Sequence, residues 1–216
     1  AICSKFKGKY LGSIGHLATF SFHETKNIIS GEGGLLVIND YRFVDRAEIL
    51  WEKGTNRAEF FRGNINKYGW VDIGSSFLPS EIIAAFLWAQ LENIDTIQNN
   101  RLEHWHYYQS HLKTWAEHNK VQLMPIPSDE TNNGHMFYIL CDSRKQRSEI
   151  IKHLKDRDIS AVFHYISLHS SKYYRDKHDG RILENSDKFT ERLLRLPMFF
   201  ELNPAEVTRA LKTFSI

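Results

Sequence analysis

The stretch Thr19–Gly34, TFSFHETKNIISGEGG, decides how the rest of the chain is read. An apolar and aromatic run ends in Ser21-Phe22-His23-Glu24-Thr25-Lys26-Asn27. A glycine-rich turn, Gly31-Glu32-Gly33-Gly34, follows, and then a second apolar run, Leu35-Leu36-Val37-Ile38. Two strands therefore bracket a polar loop that carries one lysine. A loop fixed between strands can hold a reactive side chain in place, and glycines let the backbone turn tightly or approach a ligand closely. Most lysines are solvated surface charges, so Lys26 gains meaning only from its neighbours. Ser21 precedes it closely, and a hydroxyl near an amine is a plausible phosphate ligand. A lysine that attacks a carbonyl must first lose its proton, which burial and nearby positive charge favour. His23 and Glu24 read as turn residues facing solvent; Glu32, in the glycine turn, could face a ligand. All three rank below Lys26.

Working outward, the 216 residues suit one large domain or two small ones. Hydrophobic content of 42% and charged content of 25% describe an ordinary globular chain. Fourteen Phe, nine Tyr and five Trp promise a substantial aromatic core. A formal charge of +2 is too small to argue for nucleic acid or a membrane surface. No His-x-x-His or His-Glu-x-x-His pair occurs among the eleven histidines, so no metal site is expected. Cys3 and Cys141 form no motif and read as reduced thiols of a cytoplasmic protein. No signal peptide and no bilayer-length apolar run is visible.

Strands are expected over His16–Phe22 and Leu35–Ile38. Asn39-Asp40 should cap a helix over Tyr41–Lys53 that stops at Gly54. Residues 54–78 read as a long loop rich in glycine, asparagine and aromatics, and the aromatics argue against disorder. Pro79-Ser80-Glu81 should open a helix over Ile82–Glu92, with the proline in its first turn. One helical stretch is expected over Ile94–His118, with His104 and His106 on its surface. Residues 124–127 read as a linker and 128–133 as a polar turn. Strands over Met136–Leu140 and Ile159–Tyr165 enclose a helix over Arg147–Asp156, a small α/β layer. Residues 170–189 look charged and irregular, Phe189–Leu194 helical, and Asn203-Pro204 caps a last helix through Phe214.

The motif Ser-Phe-His-x-Thr-Lys-Asn followed by Gly-Glu-Gly-Gly resembles the cofactor-lysine segment of the DegT/DnrJ/EryC1/StrS family. These are pyridoxal-phosphate-dependent sugar aminotransferases of the aspartate-aminotransferase fold. The resemblance runs from Phe6-Lys7-Gly8-Lys9 to Leu194-Arg195-Leu196-Pro197. It implies that Lys26 is the catalytic lysine that carries pyridoxal 5'-phosphate and that Ser21 contacts the phosphate. Gly74-Ser75-Ser76-Phe77-Leu78 stands where the family has Gly-Tyr-Asn-x-Arg. The usual asparagine and arginine are thus Ser76 and Leu78, and Ser75 or Ser76 is left to reach the phosphate. His164-Tyr165-Ile166-Ser167-Leu168-His169 matches the family's His-Tyr-x-Pro-Leu-His segment, with Ser167 in place of proline. On pattern alone His164 and His169 read as structural; the resemblance implies that His164, Tyr165 and His169 contact the sugar substrate.

The implied fold class is α/β, the C-terminal part of an aspartate-aminotransferase-type (PLP fold type I) enzyme. Residues 1–92 would end the large-domain sheet, 93–123 would form a connecting helix, and 124–216 a small C-terminal α/β domain. In the family an N-terminal part supplies the glycine/threonine phosphate turn, the aromatic that stacks on the cofactor and the aspartate at the pyridine nitrogen. That part is expected in cis or as a second chain, and the 216 residues alone are expected to be inactive. The resemblance also implies a homodimer, with the 54–78 loop reaching across its interface. The implied reaction passes an amino group, from glutamate, to the 4-keto group of a dTDP-linked 6-deoxyhexose for a surface polysaccharide of the enterobacterial common antigen type. Two other readings stay open: a folded remnant or interaction module without catalysis, and a dehydratase of the same family. Dehydratases carry histidine in place of the cofactor lysine, and Lys26 speaks against that reading.

Overall fold

The computed structural model describes residues 1–126 and 130–215. The expected linker over 124–127 and turn over 128–133 thus fall partly outside the described residues. The chain divides into two compact units. The first is Ala1–Thr96 with the short stretch at Glu130 and Thr131; the second is the remainder from Ile97. Where the sequence places a connecting helix, the division falls inside that helix's first turn. No helix among the described residues is long and apolar enough to cross a membrane.

The first unit opens on a small antiparallel hairpin, β1 (Lys5–Phe6) and β2 (Lys9–Tyr10). Its turn residues Lys7 and Gly8 both take positive φ, 47° and 78°, as the tight turn that matches strand twist requires. β3 (Leu17–Ser21) and β4 (Gly34–Ile38) then pair antiparallel, from Leu17 opposite Ile38 to Ser21 opposite Gly34. β3 is one residue shorter than expected at each end, and β4 begins one residue earlier. The helix expected over 41–53 begins instead as a 3-10 turn at Tyr41–Phe43, and α1 covers only Val44–Trp51. Asp40 is the reason. Its carboxylate accepts the Arg42 N–H at 3.0 Å, a local bond that tightens the first turn. Gly54 ends the helix as expected: at φ 77° it donates its N–H to the Ile49 carbonyl at 2.8 Å.

Residues 54–78 are more ordered than a loop. They contain α2 (Arg57–Phe61) and two single bridges, Thr55 with Trp70 and Glu52 with Ser76. Asn56 makes the local structure by accepting the Gly69 N–H on its side-chain oxygen at 2.9 Å. Phe60 packs edge-on against Phe61 and Tyr68. α3 spans Glu81–Glu92 with Ser80 as its cap, the Ile83 N–H donating to Ser80 Oγ. Pro79 therefore precedes the cap and lies outside the first turn. Among the described residues Phe22 and Ile28 are the only buried apolar residues of this unit, and α1, α2 and α3 bury none.

The second unit holds most of the core. The helix expected over 94–118 is two, α4 (Ile94–His111) and α5 (Lys113–His118). Ser110 Oγ donates back to the carbonyls of His106 and Tyr107, a bond that bends helices. Four strands follow: β5 (Gln122–Leu123), β6 (Phe137–Leu140), β7 (Val162–Phe163) and β8 (Leu193–Leu196). Their order is β5-β6-β8-β7 and every neighbouring pair is antiparallel. β6 and β7 are therefore parallel to each other, joined through α6 (Arg144–Lys155), with β8 inserted between them. This corrects the simple strand–helix–strand layer, because the C-terminal strand splits it. The strand expected over 159–165 shrinks to two residues. The helix expected near 189–194 is α7 (Glu184–Arg192), after which the chain turns extended into β8. α8 (Pro204–Lys212) starts on the Asn203 cap, as expected.

Trp105, Tyr108 and Leu112 of α4 and its end pack with Phe137, Ile139, Leu194 and Leu196 of the sheet, Ile150 and Leu154 of α6, and Val207 and Leu211 of α8. Buried Arg101 ties the unit together. It donates from Nε to the Gly134 carbonyl at 3.0 Å and from Nη2 to those of His135 and Met198. His106 is exposed, as expected, but half-buried His104 is not free on the surface; its Nε2 lies 3.1 Å from the Phe200 carbonyl.

Candidate active site

The loop that carries Lys26 is fixed by its own backbone. The Phe22 N–H donates to Gly33 O, Glu24 N–H to Gly31 O, and Ser30 N–H to Phe22 O, at 2.7–2.9 Å. Ser30, buried, adds a hydroxyl bond to the Glu32 carbonyl at 2.7 Å. Phe22 and Ile28 bury their side chains and give the loop a small apolar anchor. Gly33 has φ 154°, and a Cβ there would meet Ser30 Oγ at 2.7 Å, so the turn needs a glycine at this position. Lys26 closes a tight turn with its N–H on the His23 carbonyl at 2.9 Å. Its side chain is exposed and makes no hydrogen bond or ion pair among the described residues.

The neighbours of Lys26 are ordered. His23 Nδ1 accepts the Thr25 N–H at 3.2 Å and lies 3.0 Å from Thr25 Oγ1. That leaves the proton of a neutral ring on Nε2, which faces Glu32 Oε1 at 3.6 Å. His23 and Glu32 thus meet across the turn. Ser21 Oγ, at the end of β3, accepts the His23 N–H in a long 3.4 Å bond and donates to no group among the described residues. Ser21 ends β3, and Lys26 closes the turn that begins at His23. Ser75 and Ser76 lie elsewhere in the unit, beside the end of α1. Ser75 donates its N–H to Leu50 O and accepts from Lys53 N–H, and Ser76 bridges Glu52. Both are exposed.

Gly54 and Gly74 explain why that segment can run so close. A Cβ on Gly74 would come within 2.0 Å of the Gly54 nitrogen, and one on Gly54 within 2.0 Å of the Asp72 carbonyl. Two backbones cross there with no room for a side chain.

His164, Tyr165 and His169 belong to the second unit. His164 and Tyr165 follow β7 directly, with ring centroids 5.1 Å apart. Burial, and then the Arg195 charge, lower the pKa of His164 below 6.5. His169 Nε2 lies 2.9 Å from Asp187 on α7, and its ring packs against His178 at 5.2 Å. Between them Ser167, where the family pattern has proline, is buried and joins Thr190 Oγ1 at 2.5 Å and Ser186 Oγ at 2.9 Å. Hydroxyl bonds to α7 fix the segment where a proline ring would have restricted it. Asp187, His178, Thr190 and Arg195 were not legible as partners. The only available signal was the spacing of Ser186, Asp187 and Thr190 on one helical face. Among the described residues no group of three His, Cys, Asp or Glu is placed to hold a metal ion.

The sequence model of the DegT/DnrJ/EryC1/StrS aminotransferase family matches residues 1–215. The chain belongs to this family. Its fold is that of solved aminotransferases at low identity. TlmJ from Streptoalloteichus hindustanus is 21% identical, with a TM-score of 0.84 over 98% of this chain and 55% of its own. PseC from Helicobacter pylori, an aminotransferase of pseudoaminic acid biosynthesis, is 22% identical, with 0.84 over 96% and 55%. The sugar aminotransferase Spr1654 from Streptococcus pneumoniae, in a PLP form, is 22% identical, with 0.81 over 99% and 55%. The architecture is thus α/β of the aspartate-aminotransferase type. This chain spans about half the length of the structures it matches.

Proposed function

We propose that this chain is the lysine-bearing part of a pyridoxal-phosphate-dependent nucleotide-sugar aminotransferase. The observation that carries the reading is the loop: an exposed, unpaired lysine amine on a turn pinned from both strands, in a chain of this family. The donor set fits the cofactor. A free primary amine suits an aldehyde, and the unused hydroxyl of Ser21, with those of Ser75 and Ser76, suits a phosphate. The carboxylate at the pyridine nitrogen would come from the further length that the solved structures have, in cis or as a second chain.

When bound, the cofactor supplies a ring that withdraws the electrons left behind as a carbon loses its proton. The chain supplies placement and proton movement. Lys26 Nζ would hold the group, and its free amine would take and return the proton at the substrate carbon as general base and acid. Ser21, Ser75 and Ser76 hold the phosphate. His23 and Glu32, joined across the turn, fix the loop geometry on which Lys26 depends. His164, Tyr165 and His169 present imidazole and phenol groups to the sugar.

The finer reading is amino transfer from glutamate to the 4-keto group of a dTDP-linked 6-deoxyhexose, as in dTDP-4-amino-4,6-dideoxygalactose transaminase of surface polysaccharide synthesis. A homodimer in the cytoplasm, with residues 54–78 at the interface, completes it. The test is turnover of that keto-sugar nucleotide by the chain combined with the further length. Lys26→Ala should abolish amino transfer, and its circular dichroism should match the parent. Unchanged turnover in Lys26→Ala would refute the catalytic role. Loss of a sugar hydroxyl as water in place of amino transfer would favour the dehydratase reading.

A further inference from the structure

β8 is the inner strand between β6 and β7, and its side chains alternate. Leu194 and Leu196 enter the core, while Arg195 points to the opposite face, level with Tyr138 on one side and Val162 on the other. The Arg195 guanidinium lies over the Tyr165 ring, 5.8 Å from its centroid. Its Nε has no solvent exposure and no hydrogen-bond partner, and the same is true of His164 Nδ1. Among the described residues no carboxylate lies within ion-pair distance of Arg195, in contrast to Arg42, Arg46, Arg57 and Arg62.

Each buried donor left unmade costs about 1–3 kcal/mol, and such groups call for a bound water or ion. Here one such donor is Arg195 Nε itself and the other belongs to His164, and an arginine held on an aromatic face is a pre-set fork for a planar or tetrahedral oxyanion. We propose that Arg195, His164 and Tyr165 form an oxyanion-binding site that takes a carboxylate or phosphate group of a small-molecule ligand. Arg195 Nε–H and His164 Nδ1–H donate to the oxyanion, and the Tyr165 ring holds the guanidinium. The proposal deepens the aminotransferase reading and in that use rests on it: an amino donor brings carboxylates, a nucleotide sugar phosphates. Binding itself is measurable without turnover.

The positive charge of Arg195 disfavours a proton on His164, after burial. An anion between them reverses that repulsion, so occupancy raises the titration midpoint of His164. The test is an NMR titration of the His164 ring in the full 216-residue chain, at constant ionic strength. The three probes are inorganic phosphate, glutarate and thymidine diphosphate. The expected result is saturable binding of at least one probe with an upward midpoint. A response to phosphate and the diphosphate identifies a phosphate ligand, and one to glutarate alone a carboxylate. Arg195→Gln should weaken binding about tenfold or more, the loss of one charge-assisted bond. If that variant does not fold, Arg195→Lys, which keeps the charge and loses the fork, should weaken it as well. No midpoint change with any probe, or equal affinity in the folded variant, overturns the site. Failure of the aminotransferase reading alone would leave the titration intact.

Discussion

At the scale of the residue, His164 ties the site to measurable stability. Burial and the Arg195 charge lower its folded pKa below 6.5. Between the two pKa values the unfolded chain binds a proton that the folded chain refuses. His164 therefore contributes stability that is full above about 6.5 and is lost as pH falls through the folded pKa. Urea unfolding at roughly pH 7.5 and pH 5.5 should show a smaller pH difference for His164→Gln than for the parent; an identical difference would mean the ring is not held neutral. Arg101 makes a second prediction. Its guanidinium donates to three carbonyls, so Arg101→Met should cost about 2–4 kcal/mol by denaturant unfolding. Arg101 did not stand out in the sequence, and the reason is physical. Partners of Arg101 lie 33 to 97 positions away, beyond any local pattern. Ser21 and Lys26 lie five positions apart, so their neighbourhood along the chain could be read directly.

At the scale of the element, the pinned turns matter most. Gly54→Ala and Gly74→Ala each force a side chain into backbone at 2.0 Å, and Gly54 adds the strain of φ 77°, about 1–2 kcal/mol by itself. Both variants should lower the thermal midpoint clearly and loosen the segment that carries Ser75 and Ser76, seen as faster proteolysis within 54–78. A parent-like midpoint in either would contradict the crossing. Ile28 is buried under the Lys26 loop, and Ile28→Ala should cost about 2–5 kcal/mol. β3, β4, α3 and α8 were legible because apolar period and, at the helices, the Ser80 and Asn203 caps agree there; α6 begins three residues before its expected start, on a Ser143 cap. The breaks were not. Asp40 tightens the start of α1, and Ser110 bends α4, through side-chain bonds to the backbone that periodicity does not register. The place of β8 between β6 and β7 depends on pairing across more than fifty residues, which no window reads.

At the scale of the whole molecule, the two units bury their residues unequally. The second encloses a continuous core. The first leaves Trp70, Ile82, Trp88, Phe77 and Phe86 half or more exposed, more apolar side chains than single scattered contacts explain. The 216-residue chain alone should bind an apolar dye and self-associate at rising concentration, as light scattering would show. A dispersed, dye-silent monomer would contradict that. The family was legible from the SFHETKN and GEGG wording alone, while the exposed face could be known only from coordinates. The central claim is that Lys26 carries pyridoxal phosphate, and reductive trapping tests it most directly. The chain, combined with the further length its solved relatives have, is loaded with the cofactor, reduced with borohydride, digested and mapped by mass. The account predicts a single cofactor adduct on the peptide containing Lys26, absent in Lys26→Ala; an adduct mapped to any other lysine in an active preparation would contradict it.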